Sequence, residues 1–510
     1  MAISFNNIPT TIRTPGAYTE IDDSRALKGL IQNPHRALII GQKIHGVAGT
    51  VEYDTVQAIT NDNLADGFFG LGSPLARMCN IFKLNNPNTE LHAIAVDTNS
   101  AATRAHCDID FSAALLVIPV AEAGTWYLMI NGEKCYIDIS IGDKYSTIAT
   151  ALETIVNSND NLPILALAGD STADQDGQIR LELTYSGSIG NYMDIRANYY
   201  EGQVNPSCFS KVPEMSQASA LSFHNGNQPV ALASAWAVVA DEQYHYVIQP
   251  YLDDTNLDEM EDQLADRFLP LNDLQGHGFT MKRAPVASLT TFGNGRNSPH
   301  NTILGIEGSP NSQEEWATAL GAVAAYNLNN DPARPLHFLK LKGLLPPRME
   351  DRFTRAERDT LLYDGIATTI VDSGGNVLIE RCITTYQKTA LDTLDPTWLD
   401  VQTVATLGEI RYQYKARMLS RFILPRFKLA DDTFPVTPGS KVATPSIVKG
   451  EIIALFTLLR DQGLIENLND FIDNLVIERS LVDRTRVDCI LPADLINQFR
   501  VLATSLQFIL

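Results

Sequence analysis

The residue types that most often do chemistry occur in this chain without the spacing that chemistry needs. His106, Cys107 and Asp108 supply a base, a nucleophile and a carboxylate, but neighbours in sequence point in different directions, so adjacency does not bring them to one reacting centre. Gly70-Leu71-Gly72 and Gly293-Asn294-Gly295 each offer part of a dinucleotide turn and lack its third glycine. There is no lysine-bearing phosphate loop and no serine elbow. The nine histidines are scattered, with no pair at metal-ligand spacing. Six cysteines (Cys79, Cys107, Cys135, Cys208, Cys382 and Cys489) stand far apart with no CxxC pair, which argues for reduced, mostly buried thiols rather than a zinc site or a disulfide framework. No catalytic, metal-binding or cofactor-binding residue is assigned, no cofactor is expected, and the chain is read as something other than an enzyme.

Composition narrows the classes further. At 510 residues the chain is too long for one core and should divide into three or four domains. Hydrophobic residues make up 45% and charged residues 19%, the balance of a folded protein. The longest apolar runs, residues 113–118 and 230–240, are far short of a spanning helix, so membrane insertion is not expected. The amino terminus shows no basic start followed by an apolar run, so no secretory signal is read there. A net charge of −21 argues against nucleic acid as a partner, because phosphate binding needs clustered cations.

The elements that would position functional residues are better signalled than the residues themselves. Residues 331–386 read as a sequence of strand, helix and hairpin. Pro332 and Pro335 keep the start out of a helix, residues 336–341 are apolar enough for a strand, and Pro346-Pro347 ends it. Thr354 and Glu357 have capping-box spacing, predicting a helix over 355–363, and residues 366–371 and 377–383 flank a Gly374-Gly375 turn. Earlier, residues 37–40 and 91–96 read as buried strands of an α/β sheet, with loop and helix over 63–80. Residues 100–205 read as an inserted β-rich domain: strands 125–130 and 133–139 flank the hairpin signal Asn131-Gly132, a helix covers 146–156, and strands cover 178–185 and 194–200. The α/β pattern resumes near Pro229, with residues 231–240 fitting a helix or a buried strand and 246–249 a strand. Asp253-Asp254 reads as a turn, and Thr255 with Asp258 begins a helix with Leu257, Met260, Leu264 and Phe268 on one face. Its other face (Asp258, Glu259, Glu261, Asp262, Asp266) reads as solvated. Residues 281–289 are strand-like, and Ser312 with Glu315 caps a further helix. Helices over 406–424 and 447–462 and a last strand over 499–510 complete the reading.

Two stretches fit no compact domain. Residues 1–24 carry Ile3, Phe5, Ile8 and Ile12 among Asn, Thr and Pro; they read either as a frayed terminus or as an arm that adds a strand to another chain's sheet. Between residues 411 and 428 lie Arg411, Lys415, Arg417, Arg421, Arg426 and Lys428 with no acidic residue, an anomaly in so acidic a chain. A solvated or internally paired face is one reading and docking onto an acidic protein surface the other.

Taken in order, several stretches resemble the tail sheath proteins of contractile phage tails, in their Mu-like branch. They are the opening 3–22 (ISFNNIPTTIRTPGAYTEID), residues 68–78 (FFGLGSPLARM), 85–96 (NNPNTELHAIAV), 187–196 (GSIGNYMDIR), the 331–386 stretch, and the ending 496–510 (INQFRVLATSLQFIL). The resemblance runs end to end. It implies a structural subunit that polymerises helically around a tail tube and contracts to drive the tube through a bacterial envelope, using energy stored in the extended assembly. It also implies an α/β and α+β multidomain fold: an N-terminal arm (1–24), a subtilisin-like α/β middle domain without a protease site (25–99 and 206–385), the inserted β-rich outer domain (100–205), a small α+β C-terminal domain (386–498) and a C-terminal arm (499–510). In the family the arms complete a β-sheet in a neighbour's C-terminal domain. Carried to this chain, the inter-subunit residues are Ile3, Phe5, Ile8, Ile12, Tyr18 and Ile21 in one arm and Phe499, Val501, Leu506, Phe508 and Leu510 in the other. Candidates to face the tube are Arg411, Lys415, Arg417 and Arg421, with Lys449 and Arg460 as the rival location. The implied partners are further copies of the chain in hexameric rings, a tail tube protein, and baseplate and tail terminator proteins. The implied location is a virion tail or phage-tail-like particle, assembled in the host bacterial cytoplasm. The competing class is an enzyme or carbohydrate-binding oligomer using the β-rich insert as its binding module.

Overall fold

The computed structural model describes residues 13–17, 19, 30–44, 51–61, 63–98, 100–111, 120, 122–169, 178–206, 221–437 and 439–509. The chain forms two compact units, one of Pro34–Gly408 with Asn497–Leu510 and the other of Met1–Asn33 with Glu409–Ile496.

The larger unit is organised by a strand that is apolar on both faces. In β1 (Arg36–Gln42), Ala37 and Ile39 enter one core while Leu38 and Ile40 enter another, and all four are fully buried. Period-two alternation in a strand covered on both sides produces this pattern. The unit continues with β2 (Val56–Ile59), α1 (Leu64–Phe69), α2 (Pro74–Asn85), β3 (Glu90–Val96), β4 (Arg104–Asp110), β5 (Gly124–Ile130), β6 (Glu133–Ile139), α3 (Tyr145–Asn157), β7 (Ile164–Ala168), β8 (Gln178–Ser186) and β9 (Ile195–Ala197). There follow α4 (Ala233–Val239), β10 (Tyr246–Ile248), α5 (Asp254–Phe268), β11 (His277–Arg283), α6 (Val286–Asn294), β12 (Asn301–Ile306), α7 (Gln313–Asn330), α8 (Arg355–Tyr363), β13 (Ile366–Val371) and β14 (Val377–Arg381).

Eight strands form the main sheet in the order β14-β13-β12-β11-β10-β1-β3-β2. Its six inner strands are parallel, and β2 and β14 close the edges antiparallel. On one face lie Phe69, Leu75, Phe82, Trp316 and Leu320; on the other lie Trp236, Leu257, Met260 and Leu264. Helix α7 is buried nearly all round, as a helix at the centre of a layered domain must be. Between β3 and β10 the chain leaves this sheet and builds two antiparallel three-stranded sheets, β4-β8-β7 and β6-β5-β9. Asn131 and Gly132 join β5 to β6 with both residues at positive φ, the conformation a two-residue hairpin turn requires.

The smaller unit begins within α9 (Val401–Met418), whose residues up to Gly408 belong to the larger one. It holds β15 (Lys428–Leu429), β16 (Val442–Ala443), α10 (Pro445–Asp461), β17 (Ile465–Glu466), α11 (Leu468–Asn474), β18 (Val476–Arg479), β19 (Val487–Ile490) and β20 (Asp494–Leu495). The strands pair only in twos: β15-β16, β17-β20 and β18-β19. Ile452, Leu455, Phe456 and Leu459 bury the inner face of α10, and Phe456 stacks on Phe471 at 3.9 Å. Residues 30–33 lie along α9, where Gln413 receives the amide of Ile31 at 3.0 Å and Asn33 donates to Glu409 at 3.0 Å.

The capping box at Thr354 and Glu357 forms as its spacing predicts, but four readings need correction. Residues 336–341 are not a strand: Phe338 sits at φ 61, which breaks the extended run and leaves an isolated bridge from Lys340 to Leu378. Helix α5 is capped by Asp253, whose carboxylate accepts from the amide of Asn256, so it starts before Thr255. Residues 281–289 divide between the end of β11 and the start of α6. Ser312 makes no side-chain cap, and Glu315 turns instead to Arg77 at 2.5 Å, because an arginine that deeply buried needs a carboxylate more than the helix end does.

Three buried histidines and the half-buried His35 supply a pH test of the larger unit. His35 stacks on His245 at 4.0 Å beside a cavity of about 40 Å³ that His277 also lines, and His277 shares a hydrogen bond with Thr302 at 2.8 Å. Burial holds His35 and His300 near a pKa of about 4, His277 near about 3, and His245 well below its usual value. An unfolded histidine titrates near about 6.5, so the unfolded chain takes up protons first as pH falls. The stability these neutral rings provide is complete above about pH 6.5 and is lost as pH drops through about 4. The expected result is a urea midpoint that falls over that window at constant slope, with a shallower pH dependence in His277→Gln.

Candidate functional site

In open α/β sheets ligands bind in the crevice at the carboxyl ends of the strands, where strand order reverses. Here that point lies between β1 and β10, and protein fills it. Gln42 at the end of β1 is fully buried and donates to the carbonyl of Ser186 at 2.8 Å, and Gln249 just beyond β10 accepts from the amide of Tyr251 at 2.6 Å. A second cavity, of about 330 Å³, opens beside β12 and is lined by Glu307, Asp351, Arg352 and Arg358, with no Ser, Cys or His in its wall.

The residues flagged for chemistry disperse. On β4, Cys107 points to the buried face opposite His106 and Asp108, and burial pushes its thiol up to about 12. The two glycine motifs serve packing: a Cβ at Gly72 would sit 2.8 Å from the carbonyl oxygen of Asn161, and one at Gly293 would sit 2.1 Å from that of Asp364. The acidic face of α5 is not merely solvated, because Asp254 and Asp258 both pair with the buried guanidinium of Arg296. Sequence reading missed this arginine and two similar centres. In one, Asp194 receives Arg196 at 2.6 Å and Arg283 at 3.0 Å; in the other, Arg77 joins Glu315 to the carbonyl of Asn131. Most of these partners lie tens to hundreds of residues apart, which no local pattern reports.

The basic stretch is partly neutralised from within the smaller unit. Arg417 and Arg421 both pair with Glu451 on α10. A π-helical turn over Leu419–Ile423 follows Arg417 directly and carries Arg421. Among the rivals, Lys449 donates to the carbonyl of Leu475 at 3.2 Å and Arg460 pairs with Asp461 at 2.6 Å. Arg411 is half-buried and Lys415 exposed.

The terminal stretches present a different kind of surface. Ile3, Phe5, Ile8, Ile12, Tyr18 and Ile21 lie outside the described residues, as does Leu510. Residues 497–509 have no regular secondary structure in the single chain, and among the described residues no backbone–backbone hydrogen bond ties them down. Their side chains are apolar and exposed: Phe499 74%, Val501 81%, Leu506 90% and Phe508 78%. Arg500 pins the base of this segment to Asp400 at 2.6 Å. In the smaller unit the β18-β19 hairpin carries Leu481 and Val482 fully exposed at its tip. Exposed apolar side chains on a stretch without regular secondary structure are the features that strand addition uses.

Comparison with known proteins places the whole chain in one family. The family model for the phage tail sheath protein central domain matches residues 225–385, and that for the phage tail sheath C-terminal domain matches residues 393–509. The chain is 33% identical over its whole length, and the whole of the relative, to the Mu-like prophage FluMu tail sheath protein of Haemophilus influenzae. Among solved structures it is similar to the sheath tail protein of Desulfitobacterium hafniense (11% identity, 94% of this chain and 100% of that one, TM-score 0.45). It is also similar to the helical sheath of the anti-feeding prophage in its contracted state (10% identity, 98% and 99%, TM-score 0.45).

The exposed tail makes a stability test possible. Truncation after Arg500 removes, among the described residues, only exposed ones and should shift the unfolding free energy by less than about 0.5 kcal/mol. Glu451→Gln, which leaves two guanidinium groups without their carboxylate, should cost about 1–3 kcal/mol in the same urea titration.

Proposed function

The chain belongs to the phage tail sheath family, in its Mu-like branch, and we propose that it polymerises helically around a tail tube as the subunit of a contractile sleeve. It is a structural protein and not an enzyme. The observation that carries the reading is the exposed apolar segment over residues 497–509, without regular secondary structure, on a chain whose smaller unit holds only two-stranded sheets among the described residues. An open helical array needs head-to-tail contacts that do not close on themselves. A terminal strand supplies such a contact, since its backbone hydrogen bonds fix direction and register. Phe499, Val501, Leu506, Phe508 and Leu510 pair with the smaller unit of a neighbouring copy, joined there by Ile3, Phe5, Ile8, Ile12, Tyr18 and Ile21 of another. These links hold while the assembly relaxes from an extended to a contracted form with larger subunit contacts, so no nucleotide is consumed.

The same reading assigns the remaining surfaces. The larger unit contains a subtilisin-like α/β middle domain without protease residues, and the β-rich segment between β3 and β10 projects outward. Arg411 and Lys415, with Arg417 and Arg421, face an acidic tube, and Glu451 holds the last two in place. Partners are further copies in hexameric rings, the tube protein, and baseplate and terminator proteins. The subunit works in a virion tail or phage-tail-like particle after assembly in the bacterial cytoplasm.

Negative-stain microscopy tests the linkage: deletion of residues 2–20, or truncation after Arg500, should give folded monomers and no striated tubes. Normal tubes from either variant would exclude that arm. Charge reversal at Arg411 and Lys415 should reduce tube-templated assembly at least tenfold, with circular dichroism of each variant separating loss of assembly from loss of the fold; unaltered assembly would move the tube contact to Lys449 and Arg460.

A further inference from the structure

The passage out of the main sheet and the passage back into it meet at one pair of residues. His106 on β4 and His224 on the returning chain exchange both backbone hydrogen bonds at 3.0 Å, forming an isolated antiparallel bridge. Residues paired this way project their side chains to the same face of the sheet. Asp108, two residues beyond His106 on the strand, projects to that face as well. The imidazole rings stand 5.0 Å apart, and Nε2 of His106 is 3.6 Å from a carboxylate oxygen of Asp108. One ligand atom from each of the three lies within 4.8 Å of the others, a grouping found nowhere else among the described residues.

The geometry points to a divalent transition-metal site of the zinc class at His106, His224 and Asp108, clasping the two chain passages that connect the β-rich segment to the main sheet. Two imidazoles and a carboxylate suit zinc, cobalt or nickel and leave coordination positions for water. The outer interactions set the ring nitrogens appropriately. Nδ1 of His224 lies 3.1 Å from the carbonyl of Ser222, which accepts its proton and leaves the Nε2 lone pair for a metal. The side-chain amide of Asn225 donates to Nε2 of His106 at 3.3 Å, so that nitrogen also carries a lone pair. Tetrahedral ligands about 2.0–2.1 Å from zinc stand about 3.4 Å from one another. The observed spacing closes to this by side-chain rotation alone, since His224 and Asp108 are exposed.

Two groups compete with the metal, and the first, the amide of Asn225, which occupies the Nε2 lone pair of His106, must turn away for a metal to bind. Arg180 holds Asp108 bidentately, at 2.7 and 3.1 Å. Metal binding therefore transfers the carboxylate, or one of its oxygens, from the guanidinium to the ion. This gives the site a signature that a simple pair of surface histidines would not share: removing Arg180 strengthens binding, whereas removing Asp108 weakens it.

The test uses the full-length chain stripped with EDTA and titrated with Zn²⁺ by calorimetry, and with Co²⁺ for its visible absorption. The expected result is one ion per chain, with affinity reduced at least tenfold in His224→Ala and His106→Ala and several-fold in Asp108→Asn, and increased in Arg180→Gln. Excess Zn²⁺ should raise the melting temperature of the unaltered chain and not that of His224→Ala. Absence of saturable uptake below about 100-fold excess metal, or uptake equal in both histidine variants and the unaltered chain, overturns the assignment. Circular dichroism of each variant separates loss of the site from loss of the fold.

Discussion

An extended backbone carries hydrogen-bonding groups along both edges, and each must find a partner or remain in water. The larger unit meets that constraint within one chain: six parallel strands are flanked by β2 and β14, and the edges are short and antiparallel. Among the described residues, the smaller unit and the tail meet it less fully. Two-stranded sheets are marginal alone, and residues 497–509 offer backbone groups and apolar side chains together. The larger unit carries a sheet complete in itself, whereas the described strands of the smaller unit pair only in twos.

Rigidity comes from the way charge is buried. Arg77 with Glu315, Arg196 and Arg283 with Asp194, and Arg296 with Asp254 and Asp258 tie together elements far apart in sequence. Such pairs contribute little net stability over apolar packing, but removing one partner is strongly destabilising, so they favour a single arrangement. In a machine that stores energy between subunits, the subunit must not dissipate it by deforming. The filled crevice between β1 and β10 follows the same logic, since Gln42 joins the β-rich segment to the main sheet at the point where an α/β enzyme would admit a substrate.

Local chemistry made much of the fold legible in the sequence. The capping box at Thr354, the Asn131-Gly132 turn and the alternation in β1 each report their own neighbourhood, and each forms as its residues dictate. What local patterns do not carry is partnership at a distance. Glu315 looks like a helix cap until Arg77 is seen beside it, the acidic face of α5 looks solvated until Arg296 is placed, and His224 stands 118 residues from His106 in the sequence yet directly opposite it on the sheet. The composition of residues 499–509 predicts a strand, but in the single chain they form none, because a strand needs a paired edge and none of the described strands pairs with them.

Hydrogen–deuterium exchange of the amides over residues 497–509, followed in the free chain and in assembled tubes, bears most directly on whether this tail is a coupling. Rapid exchange in the free chain and protection of alternate amides by at least a hundredfold in tubes are expected if the segment becomes a strand in a neighbour's sheet. Equal, rapid exchange in both forms would mean that the subunits are joined by other surfaces and that the tail is an appendage.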